Sequence, residues 1–316
     1  GEGQIRALVT SAGNPVLSTP GGTRLEHALE RLDFMVSVDP YLNETTRLAH
    51  VILPPTSPLE RSHYDVALAA FSVRNVAKYS PPVFERGPDQ RHDWEIYAGL
   101  FSRMRLPVGK RLAERVLGKL GPEAVLAVAL RLGPHKLTLK QLRAAPHGID
   151  LGPLESRLPA RLGTRDKTID LAPAVYLDDL PRFERAAVPS GRVMIGRRHL
   201  RSNNSWLHNS ERLGKGPPRC TMLIHPDDAA ARGLADGATA KVATARGTIE
   251  LPVEITDAMM KGVVSVPHGW GHGRKGVRLS VASTVSGASI NDIIDPARID
   301  ALNGTSALSG QPVEVS

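Results

Sequence analysis

Short apolar runs that alternate with a helix-like stretch characterise the start of the chain. The runs at 4–10, 34–38 and 50–53 predict strands, and the first of them is expected to be buried. Between the first two, apolar residues recur at helical spacing over 22–32, with Thr23 as the candidate N-cap. This order predicts a parallel, doubly wound sheet, whose ligands lie beyond the carboxyl ends of its strands.

The pattern changes after residue 190 to short strands separated by turns. Apolar runs at 240–244 and 248–255 flank a turn at 245–247, which predicts a hairpin, and a further strand is predicted at 263–266. Pro226 suits the first turn of a short helix. Many strands with one short helix predict a compact closed barrel.

The stretch between these parts is broken into helical pieces. A helix is predicted at 93–104, and further pieces at 110–120, 122–132 and 138–144 are separated by Gly-Pro and Ala-Pro pairs. We interpret 106–190 as an insert or linker without chemistry of its own. Residues at helical spacing in 93–104 predict a core-facing stripe of Trp94, Tyr97, Ala98 and Phe101.

A dense polar segment, GRVMIGRRHLRSNNSWLHNS at 191–210, lacks any regular apolar spacing in its polar part. Guanidinium groups suit phosphates, amides suit a heterocycle edge, and an indole offers a stacking surface. The segment therefore predicts a site for a large, flat polyanion, and a solvated basic loop is the alternative. Its candidate ligand-binding residues are Arg197, Arg198, His199, Ser202, Asn203, Asn204 and Trp206.

Polar residues also follow the predicted strands of the parallel sheet. Gly13 and Asn14 follow the first strand, and Asp39 follows the second, where a carboxylate commonly holds a ribose or base edge. No G-x-G-x-x-G motif follows the first strand, so this is not the dinucleotide fingerprint. Turn chemistry for Asn14 and a cap for Asp39 remain alternatives.

Two histidines four residues apart occur in the motif PHGWGHG. Gly-Trp-Gly between His268 and His272 disfavours a helix, so the pair lacks the shared face of a zinc motif. We interpret the motif as a loop whose Trp270 and imidazoles face a ligand, with a structural plug as the alternative. The Asn291 amide is suited either to reading a heterocycle or to capping a turn.

Composition narrows the class of protein. The 316 residues carry a net charge of +8, which makes an anionic partner plausible, and the single cysteine excludes a disulfide framework or a cysteine-held cluster within the chain. No apolar run approaches the ~20 residues of a membrane span, and the N-terminus does not resemble a signal peptide. We expect a cytoplasmic protein without a membrane span, and its start in a strand suggests a piece of a longer chain.

Several motifs in order resemble the C-terminal part of the molybdopterin oxidoreductases, the dimethyl sulfoxide reductase/formate dehydrogenase family. The motifs SAGNPVLSTP, LDFMVSVDPYLNET and LAHVILPPTSPLE match the later part of its third domain. IGRRHLRSNNSWLHN, IHPDDAAARGLADG, VSVPHGWG and SGASINDIIDP match its dinucleotide-binding domain. Ala49-His50 departs from the family's usual Ala-Asp.

The resemblance implies a Rossmann-like parallel-sheet portion over 1–105, an insert or linker over 106–190, and a double-psi β-barrel over 191–316. It implies that the chain helps to bind molybdopterin guanine dinucleotide containing molybdenum or tungsten. Gly13, Asn14, Asp39 and Thr45 would contact a nucleotide half, and the candidates of 191–210 would line the pterin and pyrophosphate. His268, Trp270 and Asn291 would close over the same ligand.

The family's iron–sulfur cysteines and its metal ligand belong to earlier domains. The resemblance therefore implies a cofactor-binding fragment of a formate dehydrogenase-like oxidoreductase, inactive alone, whose partners are the missing N-terminal domains and an electron-transfer subunit or carrier. No residue here is predicted to be catalytic or to bind metal. The alternative is a non-catalytic nucleotide- or partner-binding module with the same folds. A nucleic-acid-binding protein is disfavoured, because the basic residues are not interleaved with aromatics.

Overall fold

The computed structural model describes residues 3–104, 108–186 and 191–316, and it gives no side-chain detail for 108–119. By packing, the chain divides into two units. Unit 1 combines Gly1–Ile52 with Ala172–Ser316, and unit 2 is Leu53–Leu171. The predicted domain boundaries after 105 and after 190 fall at stretches outside the described residues, so they stay a prediction.

A parallel sheet opens unit 1, as the sequence predicts. Its strands lie in the order β1-β2-β3 and pair in parallel, Ala7 with Phe34 and Val36 with Val51. The helices that follow β1 cover one side of the sheet, and Val16, Leu29 and Met35 form the small core between them. The elements are β1 (Ala7–Ser11), α1 (Pro15–Ser18), α2 (Gly22–Leu29), β2 (Phe34–Val38) and β3 (Val51–Ile52).

Two local predictions for this sheet are wrong. β1 is not buried, because it is an edge strand whose residues are exposed or half-buried, whereas the central β2 is buried from Met35 to Val38. Thr23 is not the N-cap of α2, since Gly21 occupies that position in a left-handed conformation. The Thr23 hydroxyl instead donates to Asp292 at 3.1 Å.

Unit 2 combines small antiparallel sheets with helices. β4 pairs with β6 and β5 pairs with β7. α4 contains the predicted break, because Gly121 has φ 72° and ψ 170° and precedes Pro122. Trp94, Tyr97 and Ala98 of the predicted stripe on α3 are half-buried and Phe101 is 42% exposed, so the stripe is only partly buried. The elements are β4 (His63–Tyr64), β5 (Arg74–Ala77), β6 (Tyr79–Ser80), α3 (Asp93–Arg103), α4 (Val108–Leu132), α5 (Leu139–Arg143) and β7 (Ile149–Pro153).

A mixed seven-stranded sheet forms the rest of unit 1, in the order β13-β8-β12-β9-β11-β10-β14. The predicted hairpin is confirmed, because β10 and β11 pair antiparallel from Thr244 and Gly247 outwards. The helices and strands of this part of unit 1 are α6 (Ala174–Leu177), α7 (Leu180–Glu184), β8 (Val193–Arg197), α8 (Glu211–Gly214), β9 (Met222–Ile224), α9 (Pro226–Ala230), β10 (Thr239–Thr244), β11 (Gly247–Ile255), β12 (Val263–Pro267), β13 (Gln311–Pro312) and β14 (Glu314–Val315).

Alternation along β11 shows how the sequence builds this sheet. Ile249, Leu251 and Val253 are buried, while Glu250 and the other intervening residues are exposed, which is the period of two that gives a strand one apolar face. Methionines and β-branched residues of the neighbouring strands complete the core on that face. The fold is therefore mixed α/β, and the double-psi topology of the barrel stays a prediction.

The two sheets of unit 1 are joined by polar contacts that fix the site described below. The Gly21 amide donates to the Asn291 carbonyl at 2.8 Å. Glu26 on α2 pairs with both Arg47 and Arg274, and Arg274 also binds the Asp292 carboxylate. In the described ranges, no helix combines the length and the apolar character needed to cross a bilayer.

Candidate functional site

The loop that follows β8 organises the candidate site. It runs from Arg198 to Asn209 as a series of turns, in which Asn203 and Asn204 adopt φ of 42° and 60°. Asparagine tolerates this left-handed region better than other non-glycine residues. The loop PHGWGHG packs against it so closely that a Cβ on Gly269 would lie 1.8 Å from the Asn204 carbonyl oxygen.

Three concave surfaces surround this loop. The Asn14 pocket lies beside the parallel sheet, and its lining includes Gly13, Asn14, Asp39, Tyr41, Trp206 and His272. It thus brings together three predicted nucleotide contacts at the carboxyl ends of β1 and β2, with the Trp206 ring beside them. The pocket encloses about 70 Å³, too little for a purine base, and the Trp206 side chain that lines it is 58% exposed.

The Arg198 cleft lies on the other side of the loop. It encloses about 570 Å³ and is open to solvent. The Arg198 guanidinium donates to the Asn204 amide oxygen, which holds the cation over the cleft. The structure thus collects five predicted pterin or pyrophosphate contacts with one predicted closing residue. They are Arg198, His199, Ser202, Asn203, Asn204 and His268.

The Trp270 cleft, of about 390 Å³, is the third surface and contains Trp270, Ser202, His208 and three cationic side chains. The Trp270 indole stacks on the His208 imidazole, with ring centroids 4.0 Å apart. Ser202 also lines the Arg198 cleft, so this residue contributes to both clefts. The cationic residues are Arg201, Lys215 and Arg219.

Three predicted site residues do not line these surfaces. The Arg197 guanidinium donates to the Thr221 carbonyl at 3.0 Å and lies within 3.5 Å of the Ser265 carbonyl, so it cross-links β8 to neighbouring strands. Thr45 is fully buried behind Asn14. Asn291 is fully buried too, and its amide nitrogen donates to the Leu17 carbonyl, so it joins the two sheets.

A buried chain of hydrogen bonds connects the Arg198 cleft to the Asn14 pocket. Ser202 Oγ lies 2.8 Å from His208 Nε2, and His208 Nδ1 lies 2.9 Å from His272 Nε2. His272 Nδ1 lies 2.8 Å from Glu44 Oε1, and the Asn14 amide donates to Glu44 Oε2 at 2.6 Å. We call this set of five residues the buried hydrogen-bond chain.

Burial decides the protonation of the site. Burial lowers the pKa of His208 to about 4, with a contribution from neighbouring His272, so His208 is neutral at pH 7. Burial, with the nearby Arg198 charge, lowers the pKa of His268 to about 4 as well. Burial raises the pKa of Glu44, but hydrogen bonds from His272 and Asn14 outweigh it, so the pKa lies below its ordinary value. Burial raises the pKa of Asp39.

Two buried ring nitrogens at the clefts have no partner in the described part of the chain. They are Nε2 of His268 and Nε1 of Trp270. A buried polar atom without a partner costs free energy, and a bound ligand can remove that cost. The donor and cation set beside the Arg198 cleft fits a phosphate- or amide-bearing ligand. Across the described residues, no three His, Cys, Asp or Glu side chains gather as metal ligands.

Sequence reasoning missed the most connected residues of the site. Glu44 was not singled out as a site residue, and His272 was considered only as half of a rejected metal motif and as one of two imidazoles facing a ligand. They are 228 positions apart, and no local pattern announces their contact. The available signal was the presence of two histidines, His208 and His272, in glycine- and amide-rich segments that cannot form amphipathic elements.

Two family profiles match the chain. A profile described as "Molydopterin dinucleotide binding domain" matches residues 193–312, and one described as "Molybdopterin oxidoreductase" matches residues 1–103. Together the two matches span well over half of the chain. Both families were expected from the sequence motifs.

Individual relatives point the same way. The NADPH-Fe(3+) oxidoreductase subunit alpha of Geobacter sulfurreducens is 25% identical over 84% of this chain and 27% of its own length. The dimethyl sulfoxide/trimethylamine N-oxide reductase of Rhodobacter capsulatus is 26% identical over 81% and 34%. The F420-dependent formate dehydrogenase 1 subunit alpha of Methanococcus maripaludis is 26% identical over 84% and 38%. The chain thus spans about a quarter to two fifths of the length of these relatives.

The fold is shared with a solved structure. Acetylene hydratase from Pelobacter acetylenicus superposes with a TM-score of 0.69 over 98% of this chain and 44% of its own, at 17% identity. With the two profile matches and the relatives above, the chain belongs to the molybdopterin oxidoreductase family and contains its molybdopterin dinucleotide-binding domain.

Proposed function

We propose that this chain forms the cofactor-binding part of a molybdenum or tungsten oxidoreductase of the formate dehydrogenase and dimethyl sulfoxide reductase type. The cofactor is a pair of molybdopterin guanine dinucleotides, and when bound it supplies two-electron chemistry at the metal. The remaining domains of a longer polypeptide supply the metal ligand and any iron–sulfur cluster. The protein works in the cytoplasm with an electron-transfer subunit or carrier.

The observation that carries this proposal is the Arg198 cleft. It combines the Arg198 cation, two asparagine amides and the unpartnered His268 Nε2. A guanidinium attracts phosphate strongly, and a buried imidazole nitrogen favours a ligand that restores its lost hydrogen bond. We assign the pyrophosphate and part of a pterin to this cleft.

The Asn14 pocket receives the nucleotide end in this proposal. The Asp39 carboxylate accepts from the Tyr41 amide at 2.8 Å, so one of its oxygens is already occupied and the other faces Asn43 at 3.4 Å. The exposed Trp206 ring, which lines this pocket, provides the stacking surface.

The experiment compares cofactor content in single-alanine variants. The longer polypeptide that contains this chain is expressed with cofactor biosynthesis, and guanosine monophosphate and oxidised pterin released from the purified protein are quantified per polypeptide. Arg198→Ala should retain about tenfold less cofactor, since a charge-assisted contact contributes about 1.5–3 kcal/mol. Arg246→Ala, which removes an exposed pair with Asp295 in the same unit, is the matched control and should retain normal content.

Two outcomes would contradict the proposal. If the unsubstituted protein binds no pterin, the chain is a module of another kind. If it binds pterin and Arg198→Ala has no more effect than Arg246→Ala, the Arg198 cleft is not the cofactor site.

A further inference from the structure

We infer that Glu44 is a positioning residue that acts through His272 and His208 to make Ser202 a hydrogen-bond acceptor for an N–H group of the bound ligand. Neither a nucleotide contact nor a catalytic role is assigned to Glu44 itself. The inference rests on the proposed function, because the ligand at Ser202 is taken to be the pterin heterocycle, which carries N–H donors.

Thr45 and the Val16 amide lie at one end of the buried hydrogen-bond chain. The Val16 amide, which can only donate, donates to Thr45 Oγ1 at 3.1 Å. The Thr45 hydroxyl donates its single proton to Asn14 Oδ1, at 2.8 Å. The Asn14 amide is thereby oriented with its nitrogen toward Glu44, to which it donates at 2.6 Å.

The Glu44 carboxylate fixes the other end. Its lowered pKa keeps it ionised, and an ionised carboxylate only accepts, so His272 must carry its proton on Nδ1. With a neutral ring, Nε2 of His272 accepts, so His208 carries its proton on Nδ1. Nε2 of His208 therefore accepts from Ser202 at 2.8 Å. Since the serine hydroxyl has one proton, its remaining lone pairs can only accept from a ligand.

Burial makes this orientation stable. Ser202, His208, His272 and Glu44 are each at most 7% exposed, so water cannot readily replace a partner and reverse the chain. The Trp270 indole stacks on His208 and resists rotation of its imidazole. The other groups whose charge reaches His208 are Arg219 and Glu44. A second proton on His272 would reverse the His208–Ser202 bond, so the inference applies to the neutral imidazoles.

The substitution Glu44→Gln reverses the donor and acceptor roles along the buried hydrogen-bond chain and hardly changes the shape of the side chain. While the Thr45 hydroxyl donates to Asn14 Oδ1, Asn14 presents its amide nitrogen, so the new side chain turns its oxygen toward Asn14 and its amide nitrogen toward His272. Both imidazoles then carry their protons on Nε2. His208 now donates to Ser202, whose own proton points toward the ligand and opposes an N–H donor.

The first measurement reads the tautomers directly. Imidazole nitrogen shifts of the 15N-labelled full chain at pH 8 should show Nδ1–H for both His208 and His272. The Glu44→Gln variant should show Nε2–H for both. Glu26→Gln is the matched control, because it neutralises a carboxylate of the same unit that pairs with Arg47 and Arg274, outside the buried hydrogen-bond chain. This control should leave both tautomers unchanged.

The second measurement reads cofactor retention in a double-variant cycle. Glu44→Gln should lower pterin content about tenfold, the effect of one opposed hydrogen bond. In a Ser202→Ala background, which lacks the hydroxyl, the same substitution should cause no further loss. A merely structural role of Glu44 would lower retention equally in both backgrounds.

The outcomes separate this inference from the proposed function. Normal pterin content in the unsubstituted chain, together with unchanged tautomers in Glu44→Gln or an equal loss in both backgrounds, overturns the inference alone. Absence of pterin from the unsubstituted chain overturns the proposed function and this inference with it. The inference is supported if the tautomers reverse in Glu44→Gln and pterin content falls only in the background that retains Ser202.

Discussion

Two groups of polar side chains beside the 198–209 loop differ in how completely their hydrogen-bonding atoms find partners within the protein. Around Asn14, the polar side chains bind one another, from Thr45 through Glu44 to His272. In the Arg198 cleft, His268 Nε2 has no partner among the described residues. The side chains from Thr45 to His272 hold one another in place, whereas the Arg198 cleft keeps a buried ring nitrogen whose hydrogen bond a ligand could restore.

The largest expected effect compares two histidines of one loop. His272→Ala should lower the free energy of unfolding by about 3–5 kcal/mol, because it leaves the buried Glu44 charge without its partner. His268→Ala removes no internal hydrogen bond from Nε2 and should cost only about 1 kcal/mol. Urea denaturation at pH 7.5 measures both. Equal losses of unfolding free energy in the two variants would contradict the difference between the two groups of side chains.

The close approach of the two loops can be tested at a glycine. Gly269→Ala should destabilise the protein by about 3 kcal/mol, because φ is +95° and the new Cβ would meet the Asn204 carbonyl oxygen. Gly262→Ala, at φ +78° with open space around it, is the control and should cost only about 1 kcal/mol. Thermal denaturation compares them, and similar values would show that the loops do not depend on this contact.

The two buried histidines His208 and His268 should make the free energy of unfolding depend on pH. His208 and His268 have a folded pKa of about 4 against an ordinary 6.5, so the unfolded state binds more protons between these values. The free energy of unfolding should therefore fall as pH drops from about 6.5 to 4, by up to about 3 kcal/mol for each histidine.

The variant His268→Ala tests how much of this pH dependence comes from His268 rather than His208. Urea titrations at pH 7.5 and 4.5 should show a smaller pH dependence in this variant than in the unsubstituted protein. An unchanged slope would mean that His268 is already charged in the folded state.

The smallest expected effect separates two adjacent arginines. Arg197→Ala should lower the free energy of unfolding by about 1–2 kcal/mol, because its guanidinium binds buried carbonyls of neighbouring strands. Arg198→Ala should change it by less than about 0.5 kcal/mol, since that side chain is exposed. Chemical denaturation without cofactor measures both. A reversed order would mean that the roles of the two arginines are exchanged.

The sequence predicted the elements where local patterning decides structure. The strand at 34–38, the parallel order of the first sheet and the hairpin at 245–247 follow from apolar spacing and turn residues, and the structure confirms them. The burial of β1 was predicted wrongly, because burial depends on a strand's place in the sheet and not on its own composition.

The sequence predicted which segment contributes to the candidate site, but it did not predict the role of each residue there. Arginine-rich composition singled out 191–210 but could not tell that Arg197 faces backbone carbonyls while Arg198 faces a cleft. Asn291 looked suited to a ligand, yet it binds the Leu17 carbonyl, 274 positions away. Such roles depend on contacts between distant segments, which periodicity does not encode.

An experimental structure of the protein purified with its cofactor tests the central claim most directly. The account predicts a pterin or pyrophosphate polar atom about 3 Å from His268 Nε2, with another beside the Arg198 guanidinium. A cofactor bound elsewhere on unit 1, with His268 Nε2 still unpartnered, would contradict it.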